Sequence, residues 1–288
     1  MKINVAKSAG FCFGVKRALN IALKTATSKA RVYMLGDIVH NEEVVRQINK
    51  AGIRKIKKLC GGKNKILLIR AHGASLATLQ KAGRLGFKIV DATCPMVKEI
   101  HKIVRDMEQK GYKIIVIGDK KHDEVQGIVG QIKSKAIVID SLNNIPLKTI
   151  KRINKACVVA QSTQNLEKVL KLLSILKLYI KDLEFFNTIC MPTRMKQEEI
   201  KRLPLKNNVM IIIGSKSSAN TRRLYEISKS LNRRTYWVSS KKEIKLAWFR
   251  DAKSVGVSAG ASTPDLTTQD VVKYIKQELD FHHLTQAS

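Results

Sequence analysis

Three of the five cysteines recur at wide intervals along the chain, and their thiols are well suited to metal chemistry. Cys94 lies 82 residues after Cys12, and Cys190 lies 96 residues after Cys94. Three thiolates from distant segments could hold zinc with one open coordination position, or an iron-sulfur cluster in which one iron has no protein ligand. In the cluster alternative, the open iron is a Lewis acid that can bind a substrate oxygen.

The other two cysteines stand outside this pattern. Cys60 precedes a Gly-Gly turn and Cys157 lies in the apolar run ACVVA, so we expect both to be buried hydrophobic residues. The chain has no CxxC pair and no secretory apolar segment at its N-terminus, which indicates a reduced, cytosolic protein. No apolar run approaches the roughly 18 residues that cross a bilayer, so we expect a soluble, cytoplasmic protein without a membrane partner.

Two families of loops repeat together with the cysteines. Gly36, Gly118 and Gly214 each end a β-branched run, and they are separated by the same 82 and 96 residues. A second family of polar loops follows the runs KILLI, ACVVA and SVGVSA. The order of cysteine, glycine loop and polar loop occurs three times, which indicates an internal triplication with units of domain size.

The elements that must position these residues are short strands alternating with helices, which is typical of βαβ units. We predict an α/β fold of three similar βαβ-type domains with mainly parallel sheets, arranged around a pseudo-threefold axis with an iron-sulfur cluster at the centre. The predicted domains span residues 13–95, 96–190 and 191–280, with Cys12 just before the first. Residues 1–12 and 281–288 form terminal segments.

The repeated loops carry polar side chains at the predicted carboxyl ends of parallel strands, where open α/β sheets bind ligands. They are rich in hydrogen-bond donors, and Glu124 is a candidate proton source. Such donors suit a phosphate or diphosphate. Each residue alone has an ordinary structural explanation, such as capping a helix, but their recurrence in equivalent loops favours a binding site. The set comprises His40, Asn41, His72, His122, Glu124, Thr163, Ser218, Asn220 and Ser262.

An ordered series of motifs extends from about Val5 to Leu266 and comprises GFCFGVKRA, VHNEEVV, AHGAS, DATCP, HDEVQGIVG, QSTQN, NTIC, GSKSSAN and SAGASTPD. This series resembles the LytB/IspH family of diphosphate reductases in the non-mevalonate isoprenoid pathway. The resemblance implies an iron-sulfur oxidoreductase that removes the hydroxyl group of 4-hydroxy-3-methylbut-2-enyl diphosphate. The products in this family are isopentenyl and dimethylallyl diphosphate.

The same resemblance implies a role for each matching residue. Cys12, Cys94 and Cys190 would bind a 4Fe-4S cluster, while Glu124, assisted by Thr163, would deliver protons to the departing hydroxyl. The positions that match the family's diphosphate-binding set are His40, His72, His122, Thr163, Ser218, Ala219, Asn220 and Ser262.

Four positions depart from the usual family pattern. Asp123 replaces a proline and adds a negative charge, which would weaken binding of an anionic ligand if the side chain faced it. Ala219 replaces a serine and so removes a hydroxyl donor. Pro192 and Lys196 stand where alanine and arginine are common, so the segment after Cys190 is less well defined by the resemblance.

The net charge of +31 indicates a basic surface that attracts acidic partners. We expect no nucleic-acid partner, because the basic residues form no block or tail and aromatic residues make up only 5% of the chain. No GxGxxG fingerprint is present, so electrons must come from outside. We expect a small acidic ferredoxin or flavodoxin as the donor.

Two other hypotheses are kept for comparison. Another enzyme with a three-cysteine cluster, of the quinolinate-synthase-like type, would also use an open iron, but its ligands would be dicarboxylates rather than diphosphates. A basic nucleic-acid or ribosome-associated module with structural cysteines would show binding that weakens steeply with salt and survives loss of Cys12.

Overall fold

The computed structural model describes residues 1–285, in which helices and strands alternate along the chain. The strands are β1 (Lys2–Val5), β2 (Arg31–Leu35), β3 (Arg54–Ile56), β4 (Lys65–Ile69), β5 (Lys88–Asp91), β6 (Lys113–Ile117), β7 (Ile137–Ile139), β8 (Lys155–Ala160), β9 (Asp182–Phe186), β10 (Val209–Ile213), β11 (Thr235–Val238) and β12 (Ser254–Ala259). The α-helices are α1 (Phe13–Ala26), α2 (Glu42–Lys50), α3 (Leu76–Arg84), α4 (Pro95–Gln109), α5 (Asp123–Val129), α6 (Leu147–Ile150), α7 (Leu166–Lys177), α8 (Met191–Arg202), α9 (Ala219–Leu231) and α10 (Asp265–Thr285). Residues 286–288, at the end of the predicted terminal segment, lie outside the described residues.

The strands form three four-stranded parallel sheets that share one order. The first sheet is β3-β2-β4-β5, the second is β7-β6-β8-β9, and the third is β11-β10-β12-β1. In each sheet, the strand before the glycine loop and the strand before the polar loop lie side by side in the middle. The strand that leads to a recurring cysteine lies at an edge. The predicted α/β fold with parallel sheets is confirmed, and the shared strand order agrees with the internal triplication.

The third sheet includes the first strand of the chain. β1 pairs in parallel with β12, so that Lys2 lies opposite Ser254 and Val5 opposite Val257. The segment that leads to Cys12 is therefore anchored to strands from the C-terminal third of the sequence.

The central strands are apolar because both faces of a parallel sheet are usually covered by helices. Every residue of β10 is buried. Successive residues of β8 belong to different core clusters: Val158 packs with Leu172 of α7, whereas Val159 packs with Ile100 of α4. Burying one such side chain contributes about 1.5–3 kcal/mol, so these clusters fix the strand ends from which the loops emerge.

The chain divides into two compact units. The terminal unit comprises Met1–Phe13, His40–Val44 and Met191–Ser288 and holds the third sheet; the central unit comprises Gly14–Val39 and Val45–Cys190 and holds the first and second sheets. Over the part of the chain that the structure describes, no helix combines the length and apolar character needed to span a bilayer.

The two non-recurring cysteines differ in exposure. Cys157 is fully buried, as predicted, and burial together with the charge of Glu184 raises the pKa of its thiol to about 12. Cys60 is exposed, so the prediction that it is buried is wrong. Its neighbour Leu59 fills the core position at this point of the loop between β3 and β4.

Candidate functional site

Each recurring cysteine lies directly before a helix. Cys12 precedes α1, Cys94 precedes α4 and Cys190 precedes α8, and all three are partly exposed. A helix N-terminus favours a negatively charged thiolate, which is the form that binds a metal. In the described first turns of these helices there is no acidic residue that would oppose the thiolate. This donor set fits a soft metal or an iron-sulfur cluster.

One backbone hydrogen bond recurs at all three cysteines. In each case the cysteine N–H donates to the carbonyl of the residue two positions beyond the central strand of the same sheet, with an N···O distance of 3.0 Å. The pairs are Cys12 with Ala261, Cys94 with Ala71, and Cys190 with Ser162. The residues that follow these acceptors are Ser262, His72 and Thr163, so each cysteine is held next to a predicted binding residue.

In the central unit, Glu124 is a buried carboxylate whose partners define its orientation. Glu124 is only 2% exposed. Oε1 accepts a hydrogen bond of 2.6 Å from the Ser162 backbone N–H, and Oε2 accepts one of 2.8 Å from the Ser162 hydroxyl. Since the Ser162 carbonyl also accepts the Cys190 N–H, one residue holds both the candidate acid and a candidate metal ligand.

Two of the predicted histidines lie together in the same unit. His122 caps α5, and its Nδ1 accepts a hydrogen bond of 3.1 Å from the Glu124 N–H. An imidazole that accepts at Nδ1 carries its proton on Nε2 when neutral, so it can donate to a ligand from that atom. The rings of His72 and His122 meet edge to face with 5.4 Å between their centroids. His72, His122 and Glu124 therefore form one local group.

Thr163 lies in the same loop but has a different contact. Its Oγ1 accepts a hydrogen bond of 3.1 Å from Gln161 Nε2, and Gln161 Oε1 in turn accepts one of 2.9 Å from the Asp119 N–H. The hydroxyl that contacts Glu124 is that of Ser162 rather than that of Thr163. Sequence reasoning missed Ser162, because adjacent hydroxyl residues in the motif QST cannot be told apart without knowing how the loop turns.

In the terminal unit, the residues Ser218, Ala219 and Asn220 form the start of α9. Ser218 caps this helix and accepts a hydrogen bond of 3.3 Å from the Thr221 N–H. Asn220 is 4% exposed, and both its Oδ1 and its Nδ2 lack a hydrogen-bond partner among the described residues. A buried amide without partners is costly, so this position is suited to a polar ligand.

The remaining predicted residues of the terminal unit, His40 and Ser262, are also together. The Ser262 hydroxyl donates a hydrogen bond of 3.1 Å to the His40 carbonyl. Ser215, which the sequence did not single out, donates one of 2.7 Å to Glu42 at the start of α2. The loops after β10 and β12 are thus tied to the segment that carries His40.

The chain is similar along nearly its whole length to known proteins. The profile of the family described as LytB protein matches residues 3–276. The 4-hydroxy-3-methylbut-2-enyl diphosphate reductase of Aquifex aeolicus (strain VF5) is 39% identical over 279 residues, covering 96% of each chain. That of Campylobacter fetus subsp. fetus (strain 82-40) is 39% identical over 278 residues, covering 96% of this chain and 98% of the relative.

Two solved structures are also similar to this chain over nearly its whole length. One, of an (E)-4-hydroxy-3-methyl-but-2-enyl diphosphate reductase described as the terminal enzyme of the non-mevalonate pathway, is 38% identical with a TM-score of 0.71, covering 96% of this chain and 100% of the other. The E-1-hydroxy-2-methyl-but-2-enyl-4-diphosphate reductase from Plasmodium falciparum is 27% identical with a TM-score of 0.86, covering 94% of this chain and 87% of the other. The resemblance seen in the motifs is confirmed: the chain belongs to the LytB protein family.

Proposed function

We propose that this chain catalyses the reductive dehydroxylation of 4-hydroxy-3-methylbut-2-enyl diphosphate to isopentenyl and dimethylallyl diphosphate, the last step of the non-mevalonate pathway. The proposal is supported by the full-length similarity to reductases of that name. The structural observation that carries it is the set of hydrogen bonds made by Ser162. Its N–H and hydroxyl donate to the buried Glu124 carboxylate, and its carbonyl accepts the Cys190 N–H.

Cys12, Cys94 and Cys190 are the residues that would hold a 4Fe-4S cluster. Their position before three helices and their partial exposure suit thiolate ligands, whereas Cys157 is buried with a raised pKa and Cys60 lies in an exposed loop. When bound, such a cluster would supply the electrons and a Lewis acid for removal of the hydroxyl group.

Glu124 would act as the acid for the departing hydroxyl. Hydroxide is a poor leaving group, so the hydroxyl group must take up one proton and leave as water. The allylic fragment takes up two electrons and a second proton, so the overall reaction consumes two of each. The Ser162 hydroxyl and N–H hold the Glu124 carboxyl group in one orientation, which reduces the reorganisation needed for proton transfer.

The diphosphate would be bound by polar side chains of the repeated loops. His72 and His122 would contribute imidazole N–H donors, and Ser218 would contribute a hydroxyl. The unpartnered amide of buried Asn220 would find its hydrogen-bond partner in the ligand. The proposed diphosphate-binding set is His40, His72, His122, Thr163, Ser218, Ala219, Asn220 and Ser262; at Ala219 only the backbone is available for this purpose.

The proposed domain limits are 13–95, 96–190 and 191–280. They are supported by the strands that each range contains, which are β2 to β5, β6 to β9 and β10 to β12. β1 would complete the third domain from outside its range, because it pairs with β12.

The electron donor would be a small acidic ferredoxin or flavodoxin in the cytoplasm. The net charge of +31 favours encounter with an acidic protein.

Anaerobically reconstituted protein tests the proposal. We expect iron and sulfide in equal amounts, a broad visible absorption band, and consumption of the allylic diphosphate with a strong chemical reductant. A fully loaded protein that does not turn over this substrate contradicts the proposal. If it binds dicarboxylates in preference to diphosphates, a quinolinate-synthase-like activity replaces it.

A further inference from the structure

Lys196 is a lysine in the core of the terminal unit. It lies on α8 and is only 2% exposed. Its ammonium donates hydrogen bonds to three backbone carbonyls, those of Ser8, Gly10 (2.9 Å) and Ala259 (3.2 Å). A lysine ammonium has three N–H donors, and a buried cation needs acceptors such as these carbonyls.

Two of these three carbonyls belong to the loop of residues 6–12, which leads from β1 to Cys12. The third carbonyl belongs to Ala259, the last residue of β12. Lys196 therefore joins the loop before Cys12 to the end of the strand that lies beside β1 in the third sheet.

A second charged residue of α8 binds the same loop from the next helical turn. Glu199 Oε1 accepts the Lys7 N–H at 2.8 Å, and its Oε2 accepts the Ser8 N–H at 2.8 Å as well as the Ser8 hydroxyl. Residues three apart on a helix lie on the same face, so Lys196 and Glu199 form one clamp, with the cation on the carbonyls and the carboxylate on the N–H groups.

The far end of the loop is held by other contacts. Gly10 has a φ of +94°, and a Cβ at this position would collide with the Asp265 carboxylate. Asp265 accepts the Phe11 N–H at 3.3 Å, and Cys12 donates to Ala261. Between these contacts and those of Glu199, the buried ammonium holds the carbonyls of Ser8 and Gly10, which lie immediately before residues 11–12.

We propose that Lys196 is a positioning residue for the metal site: its ammonium holds the loop of residues 6–12 in the conformation that presents Cys12 as a ligand. The inference rests on the proposed function only in assigning Cys12 to the cluster. The effect on the loop itself can be measured without any cluster.

The test is alkylation of each cysteine by iodoacetamide in the full-length chain, with the cluster removed, followed by peptide mass spectrometry. In Lys196→Met we expect the Cys12 rate to rise about tenfold or more, because loss of several hydrogen bonds to a charged group shifts a local opening equilibrium by this order. The rate at Cys94, which belongs to the central unit and lies before a different helix, should not change. Exposed Cys60 and buried Cys157 provide reference rates for an open and a closed site in the same sample.

Three variants complete the design. Lys201→Met is the matched control, because Lys201 lies on the same helix but pairs with Glu198 at the surface. Lys196→Arg, which keeps the charge and the donors, should restore a Cys12 rate near that of the wild type. Lys196→Gln keeps two donors and serves if the methionine variant does not fold; it should raise the Cys12 rate in the same direction but by a smaller factor.

Tryptophan emission separates local loosening from unfolding. The two tryptophans of the chain, Trp237 and Trp248, both belong to the terminal unit. Unchanged emission with faster Cys12 alkylation supports the proposal. A folded Lys196→Met or Lys196→Gln protein with wild-type Cys12 reactivity overturns it, as does an equal increase in Lys201→Met.

The rate at which the protein loses iron to a chelator is a second measurement. After reconstitution, Lys196→Met should lose iron to a chelator faster than the wild type and the Lys201→Met control. If Cys12 reactivity depends on Lys196 but no variant or wild-type protein assembles a cluster, the proposed function fails while the role of Lys196 in the loop stands. If the wild type turns over substrate and Lys196 variants keep both iron and Cys12 protection, only the positioning role fails.

Discussion

The Arg70 guanidinium lies 2.5 Å from the Asp123 carboxylate, Nη1 to Oδ2, and both side chains are partly buried. Arg70 follows β4 in the loop that carries His72, and Asp123 is the first residue of α5, directly before Glu124. The ion pair therefore ties this loop to the helix that carries the proposed acid. Because Arg70 neutralises Asp123, the added carboxylate does not act as an uncompensated negative charge towards an anionic ligand.

Removing the Asp123 charge should destabilise the protein. In Asp123→Asn the Arg70 cation loses its charged partner, and we expect the free energy of unfolding to fall by about 1 kcal/mol. Urea denaturation followed by circular dichroism measures the change. Asp182→Asn, which removes an exposed pair with Lys155 at 3.8 Å, is the control and should have almost no effect. If the two substitutions lowered the free energy of unfolding equally, the Arg70–Asp123 pair would contribute no more to stability than the exposed Lys155–Asp182 pair.

Ser162 and Thr163 can be separated by paired substitutions. Ser162→Ala removes a hydroxyl that donates to the Glu124 carboxylate, and we expect kcat to fall by about tenfold or more, since hydrogen bonds to charged groups are of this strength. Thr163→Val removes a hydroxyl that contacts Gln161 and should have a smaller effect. Steady-state kinetics with a chemical reductant measures both, and the reverse ranking would return the assisting role to Thr163.

Glu124→Gln should keep the cluster and substrate binding but lose about a hundredfold or more in kcat, because an amide is not a useful acid. Glu184→Gln is the matched control, since Glu184 is an exposed carboxylate on β9. Cluster absorption and single-turnover rates measure the two properties separately. Normal turnover by Glu124→Gln would show that Glu124 is not the acid.

Loss of one thiol should abolish the cluster selectively. Cys94→Ser replaces a proposed ligand by a hydroxyl that binds iron poorly, so we expect almost no retained iron after reconstitution. Cys60→Ser changes only an exposed thiol and should retain the wild-type iron content. Iron and sulfide determination on both variants decides the assignment.

His101 should make the protein sensitive to moderate acid. Burial, reinforced by the nearby Arg105 charge, lowers the pKa of this histidine to about 4, although Asp91 opposes the shift. Between pH 6.5 and 4 the unfolded chain therefore binds a proton that the folded chain does not, and the free energy of unfolding should fall with pH by up to about 3 kcal/mol. His101→Gln should lose this part of the pH dependence in urea denaturation between pH 7 and pH 4.5. An unchanged pH slope would exclude His101 as its source.

Salt should distinguish the natural electron donor from a small reductant. With a net charge of +31, association with an acidic ferredoxin or flavodoxin is screened as ionic strength rises. Turnover with the protein donor should therefore slow more than turnover with a small chemical reductant. Equal salt sensitivity in the two assays would argue against electrostatic docking of the donor.

Much of the fold followed from the sequence because its signals are periodic. The recurrence of cysteine, glycine loop and polar loop predicted three equivalent α/β elements, and the three sheets share one strand order. The pairing of β1 with β12 was not predicted, since contacts between the two ends of a chain leave no local pattern. Cys60 was placed wrongly for a related reason, because local composition does not show whether Cys60 or its neighbour Leu59 fills the core.

The site was predicted at the level of motifs rather than of contacts. The motif QST was identified, but only the turn after β8 shows that Ser162 meets Glu124. Asp123 and Lys196 were noted as departures from the family pattern. The partner of Asp123 lies 53 positions away in sequence, and those of Lys196 lie 63, 186 and 188 positions away. Such distant partners become visible only when the chain is folded.

The pairing of β1 with β12 also sets an order of events during synthesis. Strands β2 to β9 are complete in the growing chain well before β12 leaves the ribosome, so the central unit can fold while translation continues. Residues 2–5, although synthesised before the central unit, can pair only after β12 has been made. Cys12 therefore takes its final place only after β12 has been synthesised, and insertion of the proposed iron-sulfur cluster would follow that step.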